Sequence, residues 1–263
     1  MDLRNRVCVI TGGASGIGAA CARRFGEAGA RLVLADLNLE GARAVAREVK
    51  GIGIQCDVGK ESEINDLVKE ATDRFGQIDV FFSNAGIATG GAPLESDIED
   101  WNNQWDVNVM AHLYAIRAVL PAMLERGEGY LVHTASMAGI LTTPGNATYA
   151  TTKHAVVGLA EWMSITYHNR GIRTSLLAPL GVNTPMLGGS NSRSASTAVG
   201  PVKEPEEVAE QVFDAIQEER FLILTDPIAQ TWMDRKSNDL ERWLNGMRRL
   251  QGKLEDAKAK GLQ

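Results

Sequence analysis

A chain of 263 residues has room for one large α/β domain, or at most two small ones, with a substantial buried core. Its composition, 44 % hydrophobic and 23 % charged, is ordinary for a globular protein, and a net charge of −6 without a basic patch argues against a nucleic-acid partner. No run of 18 or more apolar residues suggests a membrane span and no secretory leader opens the chain. The three cysteines, Cys8, Cys21 and Cys56, have no metal-ligand spacing, so a cytoplasmic protein with free thiols and no metal is expected.

Short apolar runs at 7–11, 31–36, 53–56, 80–84, 130–135, 172–178 and 221–224 read as strands. Between them, stretches of helical period run over 17–28, 39–49, 61–75, 97–125, 147–169 and 206–218. Continuously apolar strands alternating with helices predict an α/β fold: a doubly wound, Rossmann-type parallel sheet of about seven strands with helices on both faces. In such a sheet ligands lie beyond the carboxyl ends of the strands.

The motifs fall at those ends. Thr11-Gly12-Gly13-Ala14-Ser15-Gly16-Ile17-Gly18 follows the first strand and opens a helix, where glycines let backbone approach a diphosphate and the helix N-terminus offers free N–H groups. A ligand-free glycine turn would look the same in isolation. Asp36 ends the second strand, placed to accept from a ribose diol and to repel a 2′-phosphate. Leu37 and Asn38 follow with no Arg or Lys beside them, so NAD is expected rather than NADP, though a helix-capping Asp is the plainer alternative. Asp57-Val58 follows the third strand and Asn84-Ala85-Gly86 the fourth. Asn108 interrupts a long apolar helical stretch, where a buried Asn needs partners and could hold a local break and a water. Ser136 ends the fifth strand. Tyr149 and Lys153, four apart on the next helix, share one face, and an ammonium beside a phenol favours the phenolate. Tyr-x-x-x-Lys alone also arises on solvated helix faces; the ordered set of motifs raises its weight.

In that order the chain resembles the short-chain dehydrogenase/reductases, main branch of roughly 250 residues, over about residues 3–224. The resemblance implies that Tyr149 is the general acid/base, that Lys153 binds the nicotinamide ribose and lowers the Tyr149 pKa, that Ser136 orients the substrate oxygen, and that Asn108 supports a water-linked proton relay. It implies a cofactor site of Gly12, Ser15, Gly16, Ile17, Gly18, Asp36, Leu37, Asp57, Val58, Asn84, Ala85, Gly86, Tyr149, Lys153, Pro179, Val182 and Thr184. It also implies a homo-oligomer, dimer or tetramer, through the two long central helices. The chain departs from the family where Pro179 is followed by Leu180 instead of Gly, and where a helical tail replaces the usual C-terminal strand.

The substrate side is expected around Ser136, Met137, Tyr149, Leu180 and Met186. These and their neighbours are mostly apolar and free of cationic clusters, which points to an apolar or aromatic secondary alcohol and its ketone, with oxidation the favoured direction. A 3-oxoacyl thioester reductase, against which Asp36 argues, and a non-catalytic nucleotide-binding regulator on the same fold are the alternatives. Residues 188–201, rich in Ser, Gly and Ala, read as a mobile substrate lid or a surface loop. The catalytic domain is expected to end near 226. In 227–263 a stripe of Trp232, Lys236, Leu240, Trp243, Met247 and Leu250 needs a cover: its own domain, another subunit, or the substrate pocket. The last residues, 253–263, read as frayed.

Overall fold

The computed structural model describes residues 1–188 and 200–259. Seven strands form one parallel sheet in the order β3-β2-β1-β4-β5-β6-β7. In chain order these are β1 Val7–Thr11, β2 Arg31–Asp36, β3 Ile52–Gln55, β4 Val80–Ser83, β5 Gly129–Thr134, β6 Ile172–Ala178 and β7 Leu222–Leu224. The order reverses between β1 and β4, and the crevice opens there at the carboxyl ends.

Alternate side chains of each strand serve two cores. Ile10, Leu34, Phe82 and Val132 pack with α1 (Gly16–Glu27), α2 (Leu39–Glu48) and α8 (Pro205–Glu218). Val9, Val33, Phe81 and Leu131 pack with α3 (Glu61–Phe75), α5 (Ala111–Arg126) and α7 (Ala147–Tyr167). Full burial of Phe25, Phe81 and Phe82 contributes roughly 1.5–3 kcal/mol each. This two-sided burial is why the strands read as unbroken apolar runs.

The long helical stretch is three pieces. α4 (Ile98–Trp105) passes through a π-helical turn, Asp106–Met110, into α5. The whole of Ile98–Arg126 is long and apolar enough to cross a membrane by length and composition. Half of its apolar window is buried against the sheet and neighbouring helices, as in a core helix.

The remaining α-helices are α6 (Ala138–Leu141), α9 (Ile228–Asn238) and α10 (Leu240–Ala259), with 3-10 turns at His168–Arg170 and Pro185–Leu187. The tail is helical through Ala259, further than the frayed end expected from 253. Its stripe is split at Asp239, whose extended backbone separates α9 from α10. Most of the loop expected over 188–201 lies outside the described residues.

Candidate active site

The glycine turn is built by contact. Gly12 has φ 67, and a Cβ there would stand 3.0 Å from Ala85 Cα and Asn84 Nδ2. A Cβ on Gly18 would collide with the Gly12 carbonyl. The turn therefore lies against the segment after β4, and the N-terminus of α1 faces the crevice. Ser15 precedes that helix with extended backbone and no capping bond from its side chain, so the first N–H groups stay open to a ligand. Gly18 itself does not line the crevice; it packs behind Gly12.

Asp36 Oδ2 accepts from Ala14 N at 3.0 Å and Oδ1 from Asn38 N at 2.9 Å. The helix cap is Asn38, accepting from Gly41 N at 3.0 Å, so the capping alternative for Asp36 fails. The carboxylate is held at the cleft wall beside Leu37, with lone pairs left for a diol. Asp57 closes its own turn through Gly59 N and pairs with Lys60 at 3.2 Å. Asn84 joins three strands: its N–H donates to Thr11 Oγ1, its Nδ2 to the Thr11 carbonyl, and its Oδ1 accepts from Thr134 Oγ1.

Asn146 caps α7 by accepting from Tyr149 N at 2.9 Å, which sets Tyr149 in the first turn. One turn on, Lys153 is 2 % exposed. Its Nζ donates to the Thr134 carbonyl at 2.9 Å and lies 5.6 Å from the centre of the Tyr149 ring. Burial without a carboxylate partner lowers its pKa to about 8. Burial raises that of Tyr149, with the Ser136 hydroxyl pulling the other way. The expected lowering of Tyr149 by Lys153 is thus not met: the ammonium is aimed at Thr134, and desolvation of the phenol wins. Ser136 Oγ accepts from Ala138 N at 3.1 Å, which fixes the hydroxyl at the start of α6.

Asn108, fully buried, sits in the π-helical turn, as its break in the apolar pattern suggests. Its side chain does not line the cleft. It accepts from Ile87 N at 2.9 Å and donates to the Ile87 carbonyl at 2.9 Å and Thr152 Oγ1 at 3.2 Å. Thr152 Oγ1 in turn donates to the Tyr149 carbonyl at 2.9 Å. Asn108 therefore ties the segment after β4 to the helix of Tyr149; the relay role implied by resemblance would have to run through its backbone.

All the remaining expected site residues line one cleft of about 1850 Å³: Gly12, Ser15, Gly16, Ile17, Asp36, Leu37, Asp57, Val58, Asn84–Gly86, Ser136, Met137, Tyr149, Lys153, Pro179, Leu180, Val182, Thr184 and Met186. Leu180 has no positive φ, so the backbone accepts a side chain where the family has Gly. Its N–H donates to Thr225 Oγ1 at 3.1 Å, and its side chain packs with Met137, Ile140 and Trp232. Leu180 narrows the cleft on the tail side.

Sequence reasoning missed Thr134, Thr152, Thr142 and the histidine pair, and left the cover of the tail stripe open. Thr134 and Thr152, like Thr11 of the glycine turn, act as connectors, with no spacing to mark that role. Thr142, which lines the cleft at the end of α6, has φ 72 and ψ 167, a conformation essentially reserved for glycine. His112 and His133 form a buried pair, Nδ1 to Nδ1 at 2.9 Å, with both Nε2 atoms unpartnered. Trp232 and Trp243 line the cleft from the tail. Besides Lys153, Arg235 is the one cation on the described lining, in line with the absence of a cationic cluster. Among the described residues no group of three His, Cys, Asp or Glu could hold a metal ion.

The family model described as short chain dehydrogenase matches residues 6–195. A 2,5-dichloro-2,5-cyclohexadiene-1,4-diol dehydrogenase of Sphingobium indicum is 33% identical over 242 residues, covering 88% of this chain and 97% of its own. A 1-deoxy-11-beta-hydroxypentalenate dehydrogenase of Streptomyces exfoliatus is 34% identical over 250 residues, covering 92% of this chain and 90% of its own. Among solved structures, a short chain dehydrogenase/reductase from Burkholderia phymatum in complex with NAD has a TM-score of 0.83 at 31% identity, covering 92% of this chain and 96% of that one.

Proposed function

The chain belongs to the short-chain dehydrogenase family and is an oxidoreductase, and from that premise we propose that it is an NAD-dependent alcohol dehydrogenase/ketone reductase for apolar or aromatic secondary alcohols, with Tyr149 as general acid/base. One observation carries the reading. Ser136, Tyr149 and Lys153 share a cleft with the glycine turn and Asp36, and its substrate end is walled by Met137, Leu141, Leu180, Trp232 and Trp243.

The cofactor fits the residues present. Gly12 and the N-terminus of α1 would hold the diphosphate, Asp36 the adenosine ribose, Asp57 and Val58 the adenine side, Asn84–Gly86 the crevice floor, and Pro179, Val182 and Thr184 the nicotinamide end. When bound, NAD supplies the ring carbon that takes or gives the hydride. Lys153, a buried cation on the same cleft, would bind the nicotinamide ribose. Ser136 would donate to the substrate oxygen. In oxidation the Tyr149 oxygen takes the carbinol proton; in reduction it gives a proton to the ketone oxygen. A phenol whose pKa is raised is protonated at neutral pH, so oxidation should speed up toward alkaline pH.

The names of the two relatives give a cyclohexadiene diol and a hydroxypentalenate as their substrates, which supports an alcohol substrate. The testing experiment is an initial-rate screen of secondary alcohols and ketones with both NAD and NADP. Turnover of cyclic or aromatic secondary alcohols with NAD preferred is expected; preference for polyols or acyl-carrier thioesters contradicts the reading.

We also propose a homo-oligomer through α5 and α7. Trp162 and Ile165 on α7, 54% and 83% exposed, give that face apolar side chains to cover. The three free cysteines, all buried, fit a reducing cytoplasm.

A further inference from the structure

We propose that α10 is the roof of the substrate site and that Met247 and Leu250, with Trp243, select substrates whose apolar ring system extends beyond a single ring; this rests on the alcohol dehydrogenase reading above. Two observations meet. First, Trp243, Met247, Leu250 and Leu254, spaced four, three and four apart, lie on one stripe of α10, and all four line the same cleft as Tyr149. Second, α10 has no large packing partner among the described elements except α9. Trp243 packs against the body of the fold, and beyond it the apolar stripe lines the open cleft.

The roof is hung on a fixed support. Ala229 of α9 is fully buried, and Trp232, Met233 and Trp243 pack with Met137, Leu141 and Leu180. Lys236 Nζ donates to the Ile140 carbonyl. These contacts place the first turn of α10 directly over the residues that follow Ser136 and Pro179. From there the stripe continues along the cleft through Met247, Leu250 and Leu254. A cleft of about 1850 Å³ exceeds the roughly 300–1,000 Å³ of a typical ligand pocket, so it can hold a dinucleotide with a large substrate beside it. The occupant that fits the stripe is the distal, apolar part of the substrate. That it shares one cleft with Leu180 and Met137 favours this over a second copy of the chain.

The test is the ratio of kcat/KM for a two- or three-ring secondary alcohol over that for cyclohexanol, with NAD, in wild type, Met247→Ala/Leu250→Ala and Met247→Trp. Removing two apolar contacts should lower the ratio by about tenfold or more. Met247→Trp, which fills the cleft instead of emptying it, should lower it too and serves if the double variant does not fold. An unchanged ratio in a folded variant that turns over cyclohexanol overturns the roof. So does a shift in oligomeric state by light scattering with the ratio unchanged, which would assign the stripe to a subunit contact. A wild type that binds NAD but oxidises none of the alcohols overturns the dehydrogenase reading itself, and the roof with it.

Discussion

Lys153 is the residue where function and stability conflict most openly. Its ammonium is buried with one carbonyl for company, and its pKa has fallen to about 8. A depressed lysine pKa means that the unfolded chain holds the proton more tightly between about 8 and the usual value near 10.5, so stability should rise with pH across that window. Lys153→Met should raise Tm at neutral pH while abolishing turnover, as calorimetry and initial rates would show; a lower Tm would mean that the Thr134 bond outweighs the burial of charge. The histidine pair has the same sign at lower pH. His133 falls to about 4, and His112 is likewise lowered, by burial first and then by His133 and Lys153. Both bind protons only after unfolding, so stability should drop as pH falls from about 6.5 toward 4, by about 3 kcal/mol for His133 alone. Urea unfolding at pH 7 and pH 5 measures this, and a His112→Leu/His133→Leu variant should flatten the dependence. Asp36 makes a third residue-scale prediction: Asp36→Ala should raise KM for NAD about tenfold and relax discrimination against NADP. An unchanged preference would show that its bonds to Ala14 and Asn38 are its whole role.

Among the elements, α6 and the turn after it hold the strain. Thr142, β-branched and in a glycine-only conformation at the cleft wall, costs about 1–3 kcal/mol. Thr142→Gly should therefore raise Tm by a few degrees. An unchanged or lower Tm would show that the threonine side chain makes good the strain. How much of each element was legible follows from physics. β1, β2 and β6 were readable to the residue because two-sided burial makes most of their positions apolar. α6, four residues long, has no period to read, and the π-helical turn leaves only the buried Asn108 as its trace. The tail stripe was legible as a stripe, but its break at Asp239 was not, since one extended residue hardly disturbs a helical pattern. The site motifs were legible because they are backbone devices at strand ends. The direction of the Tyr149 pKa was not, because it is set first by burial of the phenol, which residue spacing does not reveal. Thr134 and Thr152, and the connecting role of Thr11, were invisible because each acts across elements.

For the molecule as a whole, the sheet order brings the ends of β1, β2, β4, β5 and β6 to one edge, and the tail returns from β7 to cover it. The apolar outer face of α7 leaves assembly as the other large-scale question. Ile165→Asp should convert a dimer or tetramer into smaller species by light scattering, with little effect on the sheet; an already monomeric wild type would contradict the proposed interface. The central claim, that Tyr149 moves the proton of an alcohol in an NAD-bound cleft, is tested most directly by comparing Tyr149→Phe with wild type in one preparation: NAD affinity by fluorescence titration and alcohol oxidation by initial rate. The variant should bind NAD as wild type does and lose about 100-fold or more in kcat. Full turnover with phenylalanine at 149 would contradict the assignment.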